Sequence, residues 1–221
     1  MSAPLGYDLT VQQLIPGYAS LARLAVALLA ASPLASRSGA SVLVAGCGTG
    51  AELVEARSQR PDWQLWAIDP SAEMLAAAQQ RLAASAEIHW QQTTVEDLEA
   101  EATFAGALSV LVLQSLPDDG TKLAFLTALA RSLEPGGQLV LVDLMAPERS
   151  PLQAQVAAAW LGFQRASGLK ADAADLEPLT HGLHPIGEAR LTALVNAAGF
   201  GDPARIFQAL GYEGFLLQRQ R

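Results

Sequence analysis

A short apolar run that ends in a glycine cluster constrains this chain more than any other feature. Residues 41–45, Ser-Val-Leu-Val-Ala, lead directly into Gly46-Cys47-Gly48-Thr49-Gly50 and then into a helical pattern over 51–58. An apolar run bounded by glycines is the pattern of a parallel strand buried on both faces. Glycines at its end let the backbone turn tightly and come close to a ligand. A second apolar run, 64–68, ends at Asp69-Pro70, nineteen residues past Gly50. A carboxylate at that place can accept both hydroxyls of a ribose, as in dinucleotide sites. Loop and acid together predict a nucleoside site at the carboxyl edge of a parallel sheet.

The rest of the chain continues the alternation. Ser71 caps a helix reaching about residue 84, with Glu73 in the first turn, where the helix dipole favours negative charge. Strands are expected at 87–91, 104–113 and 138–143, with a helix over 118–132 stopped by Glu134-Pro135-Gly136-Gly137. Before the first strand, 11–31 reads as helix broken at Pro16-Gly17. Beyond the fifth strand come a helix over 152–167, an irregular stretch over 168–184, and a helix over 188–198 that Gly199 ends. Two last strands, 204–209 and 214–218, are joined closely enough for a hairpin. The expected fold is α/β: a Rossmann-like, doubly wound, seven-stranded sheet, mostly parallel, with a C-terminal antiparallel hairpin. The chain reads as one domain over 1–221, with an N-terminal helical cap (1–40), a cofactor-binding core (41–145), a cap insertion (146–187) and a final helix and hairpin (188–221).

Composition narrows the partners. The 221 residues are 51% hydrophobic and 16% charged, which excludes disorder. A net charge of −8 repels polyphosphate and disfavours a long nucleic-acid groove. One cysteine excludes an internal disulfide, and no Cys and His cluster has metal-ligand spacing. The most apolar stretch, 21–31, contains Arg23 and runs into Pro33, short of the roughly 20 apolar residues a membrane span needs. The first residues lack the basic-then-apolar order of a secretory signal. These observations predict a cytoplasmic protein with a small-molecule partner, no membrane association and no metal.

Two cofactors compete for the loop. Gly46, Gly48 and Ala51 satisfy a relaxed dinucleotide pattern, which makes NAD a rival. The Gly-x-Gly-x-Gly spacing, the helices before the first strand, the 134–137 segment and the terminal hairpin argue against it. On residues 42–50, Ala67-Ile68-Asp69-Pro70-Ser71-Ala72-Glu73-Met74 and 133–142, the chain resembles the class I S-adenosylmethionine (SAM)-dependent methyltransferases, over about 14–218. The resemblance implies SAM as cofactor and S-adenosylhomocysteine as product. It implies that Gly46, Cys47, Gly48, Thr49 and Gly50 pass under the methionine part and that Asp69 binds the ribose. It places Pro70 and Met74 at the adenine border, Thr94 and Val95 at the adenine edge, and Val110 among the cofactor contacts. Two positions depart from the family: Val44 stands where an acid is common in the first strand, and Thr94 where Asp is common after the third. No Asn-Pro-Pro-aromatic segment follows the fourth strand, which argues against methylation of exocyclic base amines.

Shorter pieces are similar to the carboxy-S-adenosylmethionine synthases: Ile15-Pro16-Gly17-Tyr18, Leu113-Gln114-Ser115-Leu116, Phe163-Gln164-Arg165-Ala166-Ser167-Gly168 and Ala197-Ala198-Gly199-Phe200. That resemblance implies a homodimer. A carboxylated sulfonium needs a cation to hold its carboxylate. Residues 172–174, where those enzymes carry a basic pair, are acidic or neutral here, and Lys170 is the nearest cation. Methyl transfer to a small acceptor is therefore the expected activity. A carboxy-S-adenosylmethionine synthase-like activity and a non-catalytic cofactor-binding module are the alternatives.

An alcohol or amine acceptor needs a base within reach. The catalytic candidates are His184 in the irregular stretch, Asp143 at the end of the fifth strand and Tyr18 at the helix break, with His181 a weaker choice than His184. Tyr18 either reaches the cofactor carboxylate or acceptor, or simply packs; Asp143 either polarises an acceptor or caps a loop. Gln114, Tyr7 and Arg165 are the candidate acceptor contacts. Gln114 ends an apolar run, where its amide needs a partner. Cys47 reads as a small apolar residue, and Trp160 with Phe163 as a core or dimer stripe.

Overall fold

The computed structural model describes residues 4–82, 88–101, 103–147, 150–170 and 182–220. Helices α1 (Pro4–Leu14) and α2 (Tyr18–Ala30) precede β1 (Ser41–Ala45). Then come α3 (Ala51–Gln59), β2 (Gln64–Ile68), α4 (Ala72–Arg81), β3 (Ile88–Gln91), β4 (Phe104–Val110), α5 (Thr121–Ser132) and β5 (Leu133–Leu144). Helix α6 (Gln153–Ala166), α7 (Glu188–Ala198), β6 (Ala204–Ala209) and β7 (Tyr212–Gln218) complete the order. The seven strands form one sheet in the order β3-β2-β1-β4-β5-β7-β6. β1 to β5 are parallel, and β7 runs antiparallel to both β5 and β6.

Both faces of the sheet are covered, which is why its inner strands read as unbroken apolar runs. Val42 and Val44 point into a core shared with α2 and α3, whereas Leu43 and Ala45 point into one shared with α5 and α7. Edge strand β3 alternates instead, with His89 and Gln91 exposed. A third cluster joins Val11 and Leu14 of α1 and Ile15 just past its end to Tyr212, with Leu111, Leu144 and Trp160 against it. Helix α1 therefore lies across the carboxyl edge of the sheet. It meets α2 at 93°, the break falling at Gly17 (φ 81). Among the described residues no single helix is long and apolar enough to cross a membrane.

Several expected boundaries move. Helix begins at residue 4, not 11. The run over 104–113 is not all strand: β4 stops at Val110, Leu111 adopts φ 61, and Leu113–Ser115 form a 3-10 turn. Its apolarity persists because Leu113 re-enters the core below the sheet edge, a burial that a run of hydrophobic letters does not distinguish from strand. The Glu134-Pro135-Gly136-Gly137 stop belongs to β5: Phe104 pairs with Leu133, a bulge follows, and Gly106 pairs with Gln138. Helix α5 begins at Thr121, where Asp119 Oδ1 accepts the Thr121 N–H (3.1 Å) and hydroxyl (2.7 Å). The terminal hairpin turns on only Leu210 (φ 56) and Gly211. The expected helix end at Ala84, the strand start at Glu87, the 172–174 segment and His181 lie outside the described residues.

Candidate cofactor and acceptor site

Strand order reverses between β1 and β4, and ligands of doubly wound sheets bind in the crevice at that switch point. The glycine loop sits there. The Gly46 and Cys47 N–H groups both donate to Ile68 C=O at 2.9 Å, and the Gly50 N–H donates to Cys47 C=O at 2.8 Å. Three glycines take left-handed backbone, Gly46 at φ 71, Gly48 at φ 50 and Gly50 at φ 85. Their surroundings differ. A Cβ on Gly46 would stand 2.4 Å from Val112 Cγ2, and one on Gly50 would stand 3.2 Å from Ala78 Cβ. A Cβ on Gly48 would meet nothing within 4 Å. Gly46 and Gly50 are thus small for packing, while Gly48 presents bare backbone to open space.

Asp69 binds this loop to the end of β2. Its Oδ2 accepts the Gly48 N–H (2.9 Å) and its Oδ1 the Ser71 N–H (2.8 Å). A carboxylate has about four acceptor sites, so both oxygens retain capacity for hydroxyl donors. Beside Asp69 lies a cavity of about 100 Å³, lined by Gly46, Pro70, Thr94, Val95, Val112, Leu116 and Phe125 among others. It is small and largely apolar-walled, and Gly46 is the loop residue that lines it. Thr94 donates its hydroxyl to Asp97 Oδ2 (3.0 Å), and Val95 is buried. Met74 donates its N–H to the Ser71 cap (3.3 Å) and is half-buried. Val44 is a core residue, and Val110 ends β4 half-buried.

Helix α1 closes the other side. Asp8 accepts the Thr49 hydroxyl on Oδ1 (2.5 Å) and an Arg81 N–H on Oδ2 (2.7 Å), tying α1 to both the glycine loop and α4. A cavity of about 740 Å³ opens there, lined by Asp8, Thr49, Glu73 and Arg81 among others. Glu52, in the first turn of α3, is 7% exposed, and desolvation pushes its carboxyl up to about 7. Burial, followed by the charge of Glu52, pushes the Tyr7 hydroxyl up to about 12 and raises Tyr18 as well. Both tyrosines are therefore hydrogen-bond donors at neutral pH. Burial also pushes the Cys47 thiol up to about 12, which leaves it unreactive.

The acceptor-side candidates divide. Asp143 is buried; its Oδ1 accepts the Gln114 N–H (3.0 Å), and burial pushes its carboxyl up to about 7. It faces the 3-10 turn and lines neither cavity above. The Gln114 amide finds a backbone partner, its Oε1 accepting the Leu144 N–H (2.8 Å). The expectation that Gln114 reaches a ligand gives way to this bond, because the Leu144 N–H at the end of β5 needs an acceptor. His184 is exposed, and its N–H donates to Gln114 C=O (2.6 Å). Arg165 is exposed near the end of α6. Trp160 donates its indole N–H to Leu14 C=O (2.7 Å) and stands edge-on to Tyr212 at 6.0 Å, so it packs α6 on α1.

Reading by motif missed Asp8, Glu52, Arg81, Val112, Phe125 and Lys122. Glu52 and Lys122 had a signal, each being a charged residue on the apolar stripe of a short helix. The others enter through tertiary contacts with no local pattern.

Residues 42–137 match the family model described as a methyltransferase domain. The segment spans β1 to the β5 bulge and includes the glycine loop, Asp69 and the cavity beside it. An uncharacterized protein of Synechococcus sp. is 39% identical over 102 residues, covering 44% of this chain and 24% of that protein; the match thus spans about a quarter of the relative's length. Two solved structures share the fold. A possible exported protein from Bordetella parapertussis has a TM-score of 0.73 at 19% identity, over 100% of this chain and 80% of that one. Human N-acetylserotonin methyltransferase in complex with SAM has a TM-score of 0.63 at 20% identity, over 98% of this chain and 56% of that one.

Proposed function

We propose that the chain is a SAM-dependent methyltransferase acting on a small, partly apolar acceptor. The observation that carries this reading is the bare backbone of Gly48 beside Asp69 and the apolar cavity, all within the segment that matches a methyltransferase domain. When bound, SAM supplies a methyl group already activated on a sulfonium. The protein therefore mainly has to align partners and exclude water. Asp69 accepts the ribose hydroxyls beside the two N–H groups it already holds. Val112 and Phe125 wall the adenine, with Pro70, Met74, Thr94, Val95 and Val110 around it. Thr49, Tyr7 and Tyr18 face the methionine end, where protonated phenols donate to a carboxylate. The acceptor lies toward Tyr7 and Arg165, the Gln114 side chain being taken by the Leu144 N–H. His184 is exposed at that rim, where its imidazole is placed to act as the base toward an alcohol or amine; the Asp143 carboxyl is buried and holds the Gln114 N–H.

Isotopically labelled SAM incubated with a pool of small metabolites tests the reading. Label entering a small molecule supports it, and His184→Ala then lowers turnover with KM for SAM unchanged. Binding of SAM with no transfer to any acceptor favours a cofactor-binding module, and a carboxylated sulfonium formed in the presence of prephenate favours the synthase. Saturable NAD binding lost in Asp69→Ala overturns the choice of cofactor. A homodimer and a cytoplasmic location belong to the same proposal. Leu152, just before α6, and Val156 and Leu161 within it are exposed apolar side chains that support the dimer, and sedimentation tests it.

A further inference from the structure

The turn that follows β4 is held by three buried polar side chains that the proposed reaction does not use. Lys122 is 0% exposed, Asp143 3% and Gln114 8%. Lys122 donates its ammonium to Leu113 C=O, while Asp143 Oδ1 accepts the Gln114 N–H. Gln114 in turn takes the Leu144 N–H on its side-chain oxygen and the His184 N–H on its backbone carbonyl. Three separate segments of the cleft rim therefore meet at one residue: the turn after β4, the end of β5, and the stretch before α7.

Stability alone is a poor reason for this arrangement. Burying charged groups costs free energy, and apolar replacements of such groups are often neutral or stabilising. The segment they hold is also strained, since Leu111, a bulky residue, adopts the left-handed φ of 61. That same turn carries Val112 and Leu116, two walls of the apolar cavity beside Asp69. Val112 is the side chain that excludes any Cβ from Gly46. Past Leu111, whose N–H donates to Val142 C=O (2.7 Å), the sheet ladder no longer orients this turn, and Val112 is left between the apolar core it packs on and the polar contacts of Gln114.

We infer that Gln114, Asp143 and Lys122 form a positioning network that fixes the Val112 wall of the cofactor cavity and couples it to the rim segment holding His184. The inference rests on the SAM reading for the identity of the ligand, but not for the coupling. Gln114 is a positioning residue: it acts through Val112 and through the His184 backbone.

Two variants test it, Gln114→Ala, which removes the bond to Leu144, and Gln114→Glu, which retains an oxygen at that place. S-adenosylhomocysteine and adenosine are titrated by calorimetry well below the thermal midpoint of each variant, and backbone hydrogen exchange is followed in parallel. For Gln114→Ala we expect affinity for both ligands to fall about tenfold, the loss of one buried bond of ordinary strength, with Gln114→Glu recovering most of it. Exchange should speed up together in 112–116 and 182–187. A lower thermal midpoint with affinities within twofold of wild type overturns the positioning role. Faster exchange in only one of the two segments overturns the coupling. If the wild type binds neither ligand, the SAM reading fails, while the exchange result still decides the coupling.

Discussion

At the residue scale the three loop glycines make separable predictions. Gly48→Ala adds a methyl to open space and incurs only the left-handed backbone cost, roughly 1 kcal/mol. Its thermal midpoint should shift by a few degrees, while affinity for S-adenosylhomocysteine, read by calorimetry, should fall at least tenfold because the methyl occupies the ligand's side. Gly46→Ala must displace Val112, so its stability and its affinity should fall together. Glu52 makes a prediction in pH. Its folded carboxyl lies near 7, above the value in an unfolded chain, so the native state binds the extra proton between about 4.5 and 7. Stability contributed by this group is complete below that window and is lost as pH rises through it, by up to about 1.4 kcal/mol per pH unit. Asp143 adds to the same slope. Thermal melts of Glu52→Gln should flatten the fall between pH 5 and 7 relative to wild type. An unchanged slope would show that Glu52 does not titrate in that range.

At the element scale, α1 is tied to the rest of the site by a few side-chain bonds at its two ends. Asp8 bonds to Thr49 and Arg81, and Trp160 bonds to Leu14 C=O at the far end. Partly exposed ion pairs contribute about 0–1 kcal/mol, so Asp8→Ala should leave the thermal midpoint nearly unchanged. Hydrogen exchange across 6–14 should nonetheless accelerate, because the helix loses its link to the glycine loop. Equal exchange in both proteins would mean that the apolar cluster of Val11, Leu14 and Ile15 holds α1 alone. The parallel strands were legible in the sequence because burial on both faces writes itself as an unbroken apolar run. The glycine loop and Asp69 were legible because turn chemistry and spacing are local. Helix α1 began seven residues before its expected start, and the end of β4 was overrun. In both cases the deciding contacts come from distant elements: the carboxyl edge that α1 crosses, and the core that Leu113 enters. Gln114 shows the same limit. A polar residue ending an apolar run predicts a partner, but only the fold identifies that partner as the Leu144 N–H.

At the scale of the whole molecule, one sheet brings together pieces far apart in sequence. Gly48, Asp69, Val112 and Phe125 sit at one switch point, with α1 tied to the glycine loop through Asp8 and the stretch before α7 tied to the turn after β4 through the His184 N–H. The net charge of −8 is consistent with a site for a small ligand and not for a polyphosphate chain. On the proposed function this point holds SAM. Isothermal titration of the full chain with SAM, beside Gly48→Ala and Asp69→Ala, tests it most directly. Saturable one-to-one binding by the wild type is expected, at least tenfold weaker in each variant while both remain folded. Absence of SAM binding by the folded wild type, or equal affinity in all three proteins, would contradict it.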